Sequence, residues 1–201
     1  MVVRHLSAIA LSSLLTLTAA AQTGAGNPLT LQPESRLWVE GTSTVRGFTC
    51  KAPTVNATIQ TNTSGAVAAT FAGEKSVSSV RVEVPARSLD CDNGTMNSHM
   101  FNALKANENQ TIVFRMTSYD LTTMDPSSAT VKLNGRLSLG GQEKAITMTA
   151  EAKQGAGGTL RLTGSQDIRL TEYGLRPPSL MMGTMKVGDV VKVRYDLVLK
   201  P

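Results

Sequence analysis

The chain has 201 residues, of which 41% are hydrophobic, 17% charged and 4% aromatic, and its formal net charge is +5. This length fits one ordinary domain, and the composition excludes a disordered tail and a coiled coil. Two cysteines are too few for a zinc finger or a four-thiolate iron–sulfur cluster, and the dispersed lysines and arginines do not indicate a nucleic-acid partner.

The first 21 residues have the pattern of a secretory signal peptide. A short polar start with Arg4 precedes an apolar run over residues 6–17, and alanines at 19–21 fit a small-residue cleavage site. The run is too short to span a bilayer as a helix, and no later stretch is apolar enough to do so. We therefore expect cleavage after Ala21 and a periplasmic or secreted product with net charge +4. A retained N-terminal anchor is the alternative.

Period-two alternation dominates the rest of the chain. Residues 22–34 are rich in Gly, Thr and Pro, and we interpret them as a flexible lead-in to one domain over residues 35–201. Apolar and polar residues then alternate most clearly over 80–84, 131–139 and 191–199, which predicts strands with one apolar face. Weaker segments of the same kind are 36–40, 55–60, 67–71, 112–116, 146–150, 160–162 and 168–170.

These segments predict eight or nine strands of an all-β fold. Their short Gly-, Asp- and Pro-containing connections favour antiparallel hairpins, because a parallel crossover needs about a dozen residues or more. So many half-apolar strands must close into a barrel or stack as a sandwich. Residues 93–106 differ, since their apolar positions have helical spacing, with Asn93 or Thr95 as the candidate N-cap. Such a helix can cover one end of a barrel.

Seven short motifs, in this order and spacing, resemble those of one family. They are residues 38–45 (WVEGTSTV), 82–90 (VEVPARSLD), 96–100 (MNSHM), 111–115 (TIVFR), 133–141 (LNGRLSLGG), 172–178 (EYGLRPP) and 187–191 (VGDVV). The chain thereby resembles the YceI-like family of polyisoprenoid-binding domains from about residue 35 to 200. The resemblance implies an extended eight-stranded antiparallel lipocalin-like β-barrel with one short helix over one end. It also implies an exported, non-catalytic protein that holds an isoprenoid or fatty amphiphile.

The chain departs from the family pattern at one charged pair. Met96 and Asn97 stand where many members have Arg-Asp. If that pair holds a ligand head group in other members, this chain lacks the charge to do so.

The residues predicted to face the interior are aliphatic and include few rings. They are Val80, Val82, Val84, Met100, Leu104, Ile112, Phe114, Met116, Leu133, Leu137, Ile146, Met148, Leu160, Leu162, Val191, Val193 and Tyr195. A barrel lined this way either collapses to a dry core or keeps a slot. The pattern alone leaves open a structural or interaction domain without ligand, whereas the resemblance favours the slot. Burying a prenyl or alkyl chain yields about 0.8 kcal/mol per CH₂, so no cofactor is needed.

Four polar residues are candidates for contact with a ligand head group at the mouth of the barrel. His99 and Asn97 belong to the predicted helix, and Tyr173 and Arg176 precede two prolines in a predicted loop. The alternative for the loop is a rigid corner in which Tyr173 is structural.

The cysteines are the candidates for a disulfide. Export favours pairing of Cys50 with Cys91. In the chain-entropy model such a bond stabilises the fold by about 4 kcal/mol. Free thiols or an intermolecular bond are the alternatives.

Catalysis and metal binding have little support. His99 is the only histidine after cleavage, which excludes a His-rich zinc site. A triad of His99 with Ser98 or Ser88 and Asp90 would make an esterase-like enzyme, but no nucleophile elbow or Cys–His signature accompanies it. We therefore predict no catalytic residue and no metal; the only protein partner considered is a second copy in a homodimer.

Overall fold

The computed structural model describes residues 26–180 and 183–201, so the predicted signal peptide lies outside the described residues. Two α-helices, α1 (Ala66–Phe71) and α2 (Gly94–Ala103), stand among twelve strands in the described chain. The strands are β1 (Thr30–Leu31), β2 (Arg36–Thr42), β3 (Gly47–Lys51), β4 (Asn56–Thr61), β5 (Val77–Pro85), β6 (Thr111–Asp125), β7 (Ser128–Leu139), β8 (Gln142–Gln154), β9 (Leu160–Arg169), β10 (Ser179–Leu180), β11 (Met185–Lys186) and β12 (Val190–Lys200).

Nine strands form one curled antiparallel sheet, a half-barrel. Their order is β3-β2-β12-β9-β8-β7-β6-β5-β4, and β1 pairs with the far end of β12. The resemblance implied eight strands. Strand β3, which ends one edge of the sheet by pairing with β2, lies outside every segment predicted from alternation. The weak alternation of its five residues did not reveal it, and Pro53, which cannot donate to a ladder, separates it from β4.

Backbone contacts draw the two edges of the sheet together. The amide of Leu29 donates to the carbonyl of Ile59 in β4 at 3.1 Å. Lys51 and Asp90 exchange two backbone hydrogen bonds, of 2.7 and 2.9 Å, which join β3 to the segment after β5. Edge groups that would otherwise need water or another chain are thus partly satisfied within the molecule.

The segment interpreted as a flexible lead-in is ordered by packing where the structure describes it. Leu29 is only 3% exposed and belongs to an apolar cluster with Ile59 and Leu199. Strand β1 pairs with the last residues of β12. A two-residue strand is too short to produce a periodic pattern, so only its distant partner reveals it.

Helix α1 corrects the strand predicted over residues 67–71. Its alanines favour a helix, and Ala66, Val67, Ala69, Thr70 and Phe71 are all buried. Over five residues, a buried strand and a buried turn of helix cannot be distinguished by pattern, because a short apolar run fits both.

Helix α2 confirms the predicted helix and its N-cap. The side-chain oxygen of Asn93 accepts the backbone N–H of Met96 at 2.9 Å. Directly before the helix, Cys91 forms the predicted disulfide with Cys50 of β3. The covalent bond therefore fastens the start of α2 to an edge strand of the sheet.

Removing this disulfide should lower the free energy of unfolding by about 2–5 kcal/mol, since the bond restricts the unfolded chain. The Cys50→Ala/Cys91→Ala variant is preferable to serine, because Cys50 is only 1% exposed and a buried hydroxyl would add its own cost. Denaturant unfolding is measured for this variant and for the wild type in its oxidised and reduced forms. The oxidised wild type is compared first with the variant and then with the reduced wild type. An unchanged midpoint in both comparisons contradicts the stabilising role.

Candidate functional site

The inner face of the curled sheet surrounds an apolar cavity of about 670 Å³. Every one of the seventeen side chains predicted to face the interior lines it. Strand β5 shows why. Val80, Val82 and Val84 lie on the inner face, while Arg81 and Glu83, at the alternate positions, form an ion pair with each other. The period of two separates an apolar wall from a charged outer surface.

Two of the rings in the cavity lie close to glycines of its wall. A Cβ on Gly135 would lie 2.4 Å from the ring of Phe114, and one on Gly164 would lie 2.3 Å from the hydroxyl of Tyr195. The Tyr195 hydroxyl also donates to the carbonyl of Thr149 at 3.1 Å. The rings cover glycine backbone instead of filling the centre, which leaves the cavity open.

One end of the cavity is closed by a tightly packed apolar cluster. Leu29, Ile59, Val67 and Phe71 pack there with alanines of β7 and β8. Thr70 of α1 also lines the cavity, and its hydroxyl donates to the carbonyl of Ala66 at 2.9 Å. This end therefore presents hydrocarbon to the interior.

Helix α2 contributes one face to the cavity. Met96, His99, Met100, Ala103 and Leu104 line it, at the three- and four-residue spacing of one helix side. His99, a predicted head-group candidate, is thus placed at the cavity.

Asn97, another head-group candidate, does not line the cavity. Its amide nitrogen donates to the carboxylate of Asp90 at 2.8 Å, and its oxygen accepts the backbone N–H of Cys91 at 2.8 Å. The bonds from Asn97 and from the backbone N–H of Asp92 hold the pKa of Asp90 below its usual value. Asn97 fastens α2 to the disulfide segment.

Tyr173 and Arg176 also lie outside the cavity lining, in contrast to the predicted mouth. Tyr173 is 3% exposed and packs in a cluster with Leu139, Ile168 and Leu175. Burial, with a smaller contribution from the charge of Glu172, raises its pKa. This placement matches the rigid-corner alternative.

The triad considered from the sequence does not assemble around His99. The hydroxyl of Ser98 donates to the carbonyl of Gly94, and that of Ser88 to the carbonyl of Pro85. The Asp90 carboxylate accepts from Asn97 and from the Asp92 amide.

Within residues 26–180 and 183–201, no group of three or more His, Cys, Asp or Glu residues could hold a metal ion. Nor does any helix in these ranges have the length and apolarity needed to cross a membrane.

Sequence reasoning missed the hairpin between β2 and β3. Ser43, Val45 and Arg46 line the cavity, and Met185 and Val187 line it beside them. The hairpin has no periodic pattern, so only its position over the cavity reveals its role. The sequence signal that could have indicated this role is Arg46, which follows the small hydroxyl residues at 42–44 in the turn.

The chain matches the model of the YceI-like domain over residues 32–199. Similar solved structures include BcnA of Burkholderia cenocepacia, at TM-score 0.64 and 12% identity, covering 84% of this chain and 99% of that one. A polyisoprenoid binding domain from Saccharophagus degradans, implicated in plant cell wall breakdown, has TM-score 0.61, 11% identity and coverage of 86% and 97%. The Campylobacter jejuni YCEI protein has TM-score 0.56, 16% identity and coverage of 76% and 84%. No curated protein matches significantly.

Replacing Asn97 by alanine should raise the pKa of Asp90 toward its usual value, because the strongest hydrogen bond to the carboxylate is lost. A carboxyl pKa that is lower in the folded than in the unfolded state stabilises the fold at pH values above the unfolded-state pKa. This stability is lost as the pH falls through the folded-state pKa. The variant should therefore lose less stability on acidification. NMR titration of Asp90 and unfolding at several pH values measure both effects. Asn102→Ala, an exposed position on the same helix, is the control; equal effects in the two variants contradict the assignment.

Enlarging a side chain in the cavity should cost little stability, because there is space to receive it. Val82→Phe should change the free energy of unfolding by less than about 1 kcal/mol, whereas overpacking costs about 1–3 kcal/mol. Ala152→Leu, at a position with 0% exposure, is the matched overpacking control. Denaturant unfolding of both variants provides the measurement, and equal losses would show a filled interior.

Proposed function

Because the chain belongs to the YceI-like domain family, we propose that it binds lipid and holds the hydrocarbon chain of an isoprenoid or related amphiphile in its cavity. The observation that carries this proposal is the continuous apolar cavity of about 670 Å³. Ligand pockets typically measure about 300–1,000 Å³. The structural similarity to a polyisoprenoid binding domain supports the same ligand class.

The lining explains why hydrocarbon is the favoured occupant. Side chains around an unfilled space lose dispersion contacts, and the cost grows with cavity volume. Water gains few hydrogen bonds there, because most lining residues are aliphatic. A prenyl or alkyl chain restores the contacts and brings about 0.8 kcal/mol for each CH₂ removed from water. Binding such a chain requires only that its hydrocarbon is removed from water, and no bond is made or broken. This fits a carrier or sequestering protein rather than an enzyme.

The finer architecture in this proposal is a lipocalin-like barrel with one closed end and one covered end. Helix α1 and its apolar cluster close the first. Helix α2 acts as the lid, with Met96 and Met100 facing the ligand, since methionine adapts to irregular apolar shapes. The Cys50–Cys91 disulfide limits how far the start of this lid moves.

Export to the periplasm or beyond the cell belongs to the same proposal. The first 21 residues have the pattern of a signal peptide. The disulfide supports an oxidising compartment, where such bonds persist.

Mass spectrometry under non-denaturing conditions tests the function directly. Protein purified without detergent should carry a co-purified lipid or take up added polyprenyl alcohol at one chain per molecule. Val82→Phe should reduce uptake, since the new ring occupies the cavity. Val190→Phe is the matched control, because Val190 is exposed and does not line the cavity. A protein that remains empty and takes up neither polyprenyl alcohol nor fatty acid contradicts the proposal.

A further inference from the structure

Arg46 is the one Lys, Arg, Asp or Glu among the described residues that line the cavity. Its guanidinium forms no ion pair with another described residue. By contrast, Arg81, Arg136, Arg161 and Arg194 each pair with a carboxylate on the outer face. A single cation without a neighbouring acid gives one rim of an apolar cavity a positive charge that the protein itself does not neutralise.

The hairpin that carries Arg46 is held in place by hydrogen bonds. The hydroxyl of Ser43 donates to the Arg46 carbonyl at 2.8 Å and accepts the Arg46 amide at 3.1 Å. Thr44 binds the neighbouring segment: its amide donates to the carbonyl of Lys186 at 3.0 Å, and its hydroxyl accepts the Lys186 amide at 3.2 Å. These hydrogen bonds fix the backbone from which the exposed Arg46 side chain extends at the rim of the cavity.

Arg46 lies at the opposite end of the cavity from the closed apolar cluster. Along β12, Lys192 pairs with Glu40 near the hairpin, and Leu199 pairs with Leu31 beside the cluster. These two positions are about 23 Å apart at the rise of a β-strand. At the Arg46 end, Val45 is 66% exposed and also lines the cavity, so this end reaches solvent. The cavity is thus polarised along its length.

We propose that Arg46 anchors the anionic head group of an amphiphile whose hydrocarbon chain extends toward helix α1. This inference rests on the proposed lipid-binding function and specifies its ligand class as an alkyl or prenyl chain ending in an oxyanion, such as a phosphate monoester or a carboxylate. A planar guanidinium offers paired donors that match either oxyanion. His99 and Thr95 of α2 line the same cavity, as does the N-cap residue Asn93, and they supply further polar groups.

Helix α2 contains no Lys or Arg that could meet an anionic head group, and its residues 96 and 97 are Met and Asn. Met96 faces the cavity and Asn97 binds Asp90 instead. In this chain the cation is supplied from the β2–β3 hairpin rather than from α2.

Competition binding with two ligands of equal chain length tests the inference. A prenyl monophosphate and the corresponding prenyl alcohol are titrated into the full chain, with inorganic phosphate as a third ligand. We expect the monophosphate to bind about tenfold more tightly than the alcohol, as a charge-assisted hydrogen bond allows. Raising ionic strength should reduce this difference, because the head group lies at a solvent-accessible rim. Inorganic phosphate alone should not bind measurably.

Variants at the arginine separate a binding role from a structural one. Arg46→Gln should abolish the preference for the monophosphate, and an unfolding midpoint close to that of the wild type shows that the variant is folded. Arg46→Lys should keep part of the preference. Arg176→Gln is the matched control, since Arg176 is exposed and does not line the cavity.

The possible failures are distinguishable. The role of Arg46 is overturned, and lipid binding left intact, if the wild type prefers neither the monophosphate nor a fatty acid over the corresponding alcohol, or if the preference survives Arg46→Gln. A preference lost in Arg176→Gln but kept in Arg46→Gln also overturns it. If neither ligand binds the wild type, the proposed function itself fails. If a fatty acid is preferred over its alcohol in an Arg46-dependent way and the monophosphate is not preferred, the oxyanion is a carboxylate and the anchor stands.

Discussion

The antiparallel pairing of β12 on both of its sides is the interaction on which the rest of the structure depends. Over Val190–Leu199 the strand pairs with β9, and its opposite edge pairs with β2 and then with β1. The last strand of the chain thereby joins the first strands to the meander that runs from β4 to β9. Without this pairing the sheet would have two distant edges and an open apolar face, which would expose both hydrocarbon and unpaired backbone groups.

The cavity follows from how that curled face is covered. Near α1 the inner face is covered by a cluster of buried side chains, and farther along the strands two of the rings lie next to glycine backbone. Curvature separates the facing walls, and aliphatic side chains of ordinary length do not span the gap. The open volume is therefore a property of the whole sheet, and no single residue creates it.

Helix α2 connects the cavity to the stability of the molecule. One face lines the interior with methionines and His99, while Asn97 and the disulfide segment hold its beginning to the sheet. An apolar ligand in the cavity would replace missing packing beneath this helix, so occupancy and stability are coupled. The helix itself has no fully buried residue, which fits an element that covers a space rather than one that fills a core.

The sequence by itself determined the inward-facing side chains of the clearly alternating strands and of α2, because period two and helical spacing are both local. It also indicated the N-cap Asn93 and favoured the Cys50–Cys91 pair. The tertiary structure alone decided the helix at Ala66–Phe71, the pairing of β1, the burial of Tyr173 and the placement of Arg46 at the cavity rim. Each of these depends on contacts between residues far apart in the chain, and a local pattern carries no information about a distant partner.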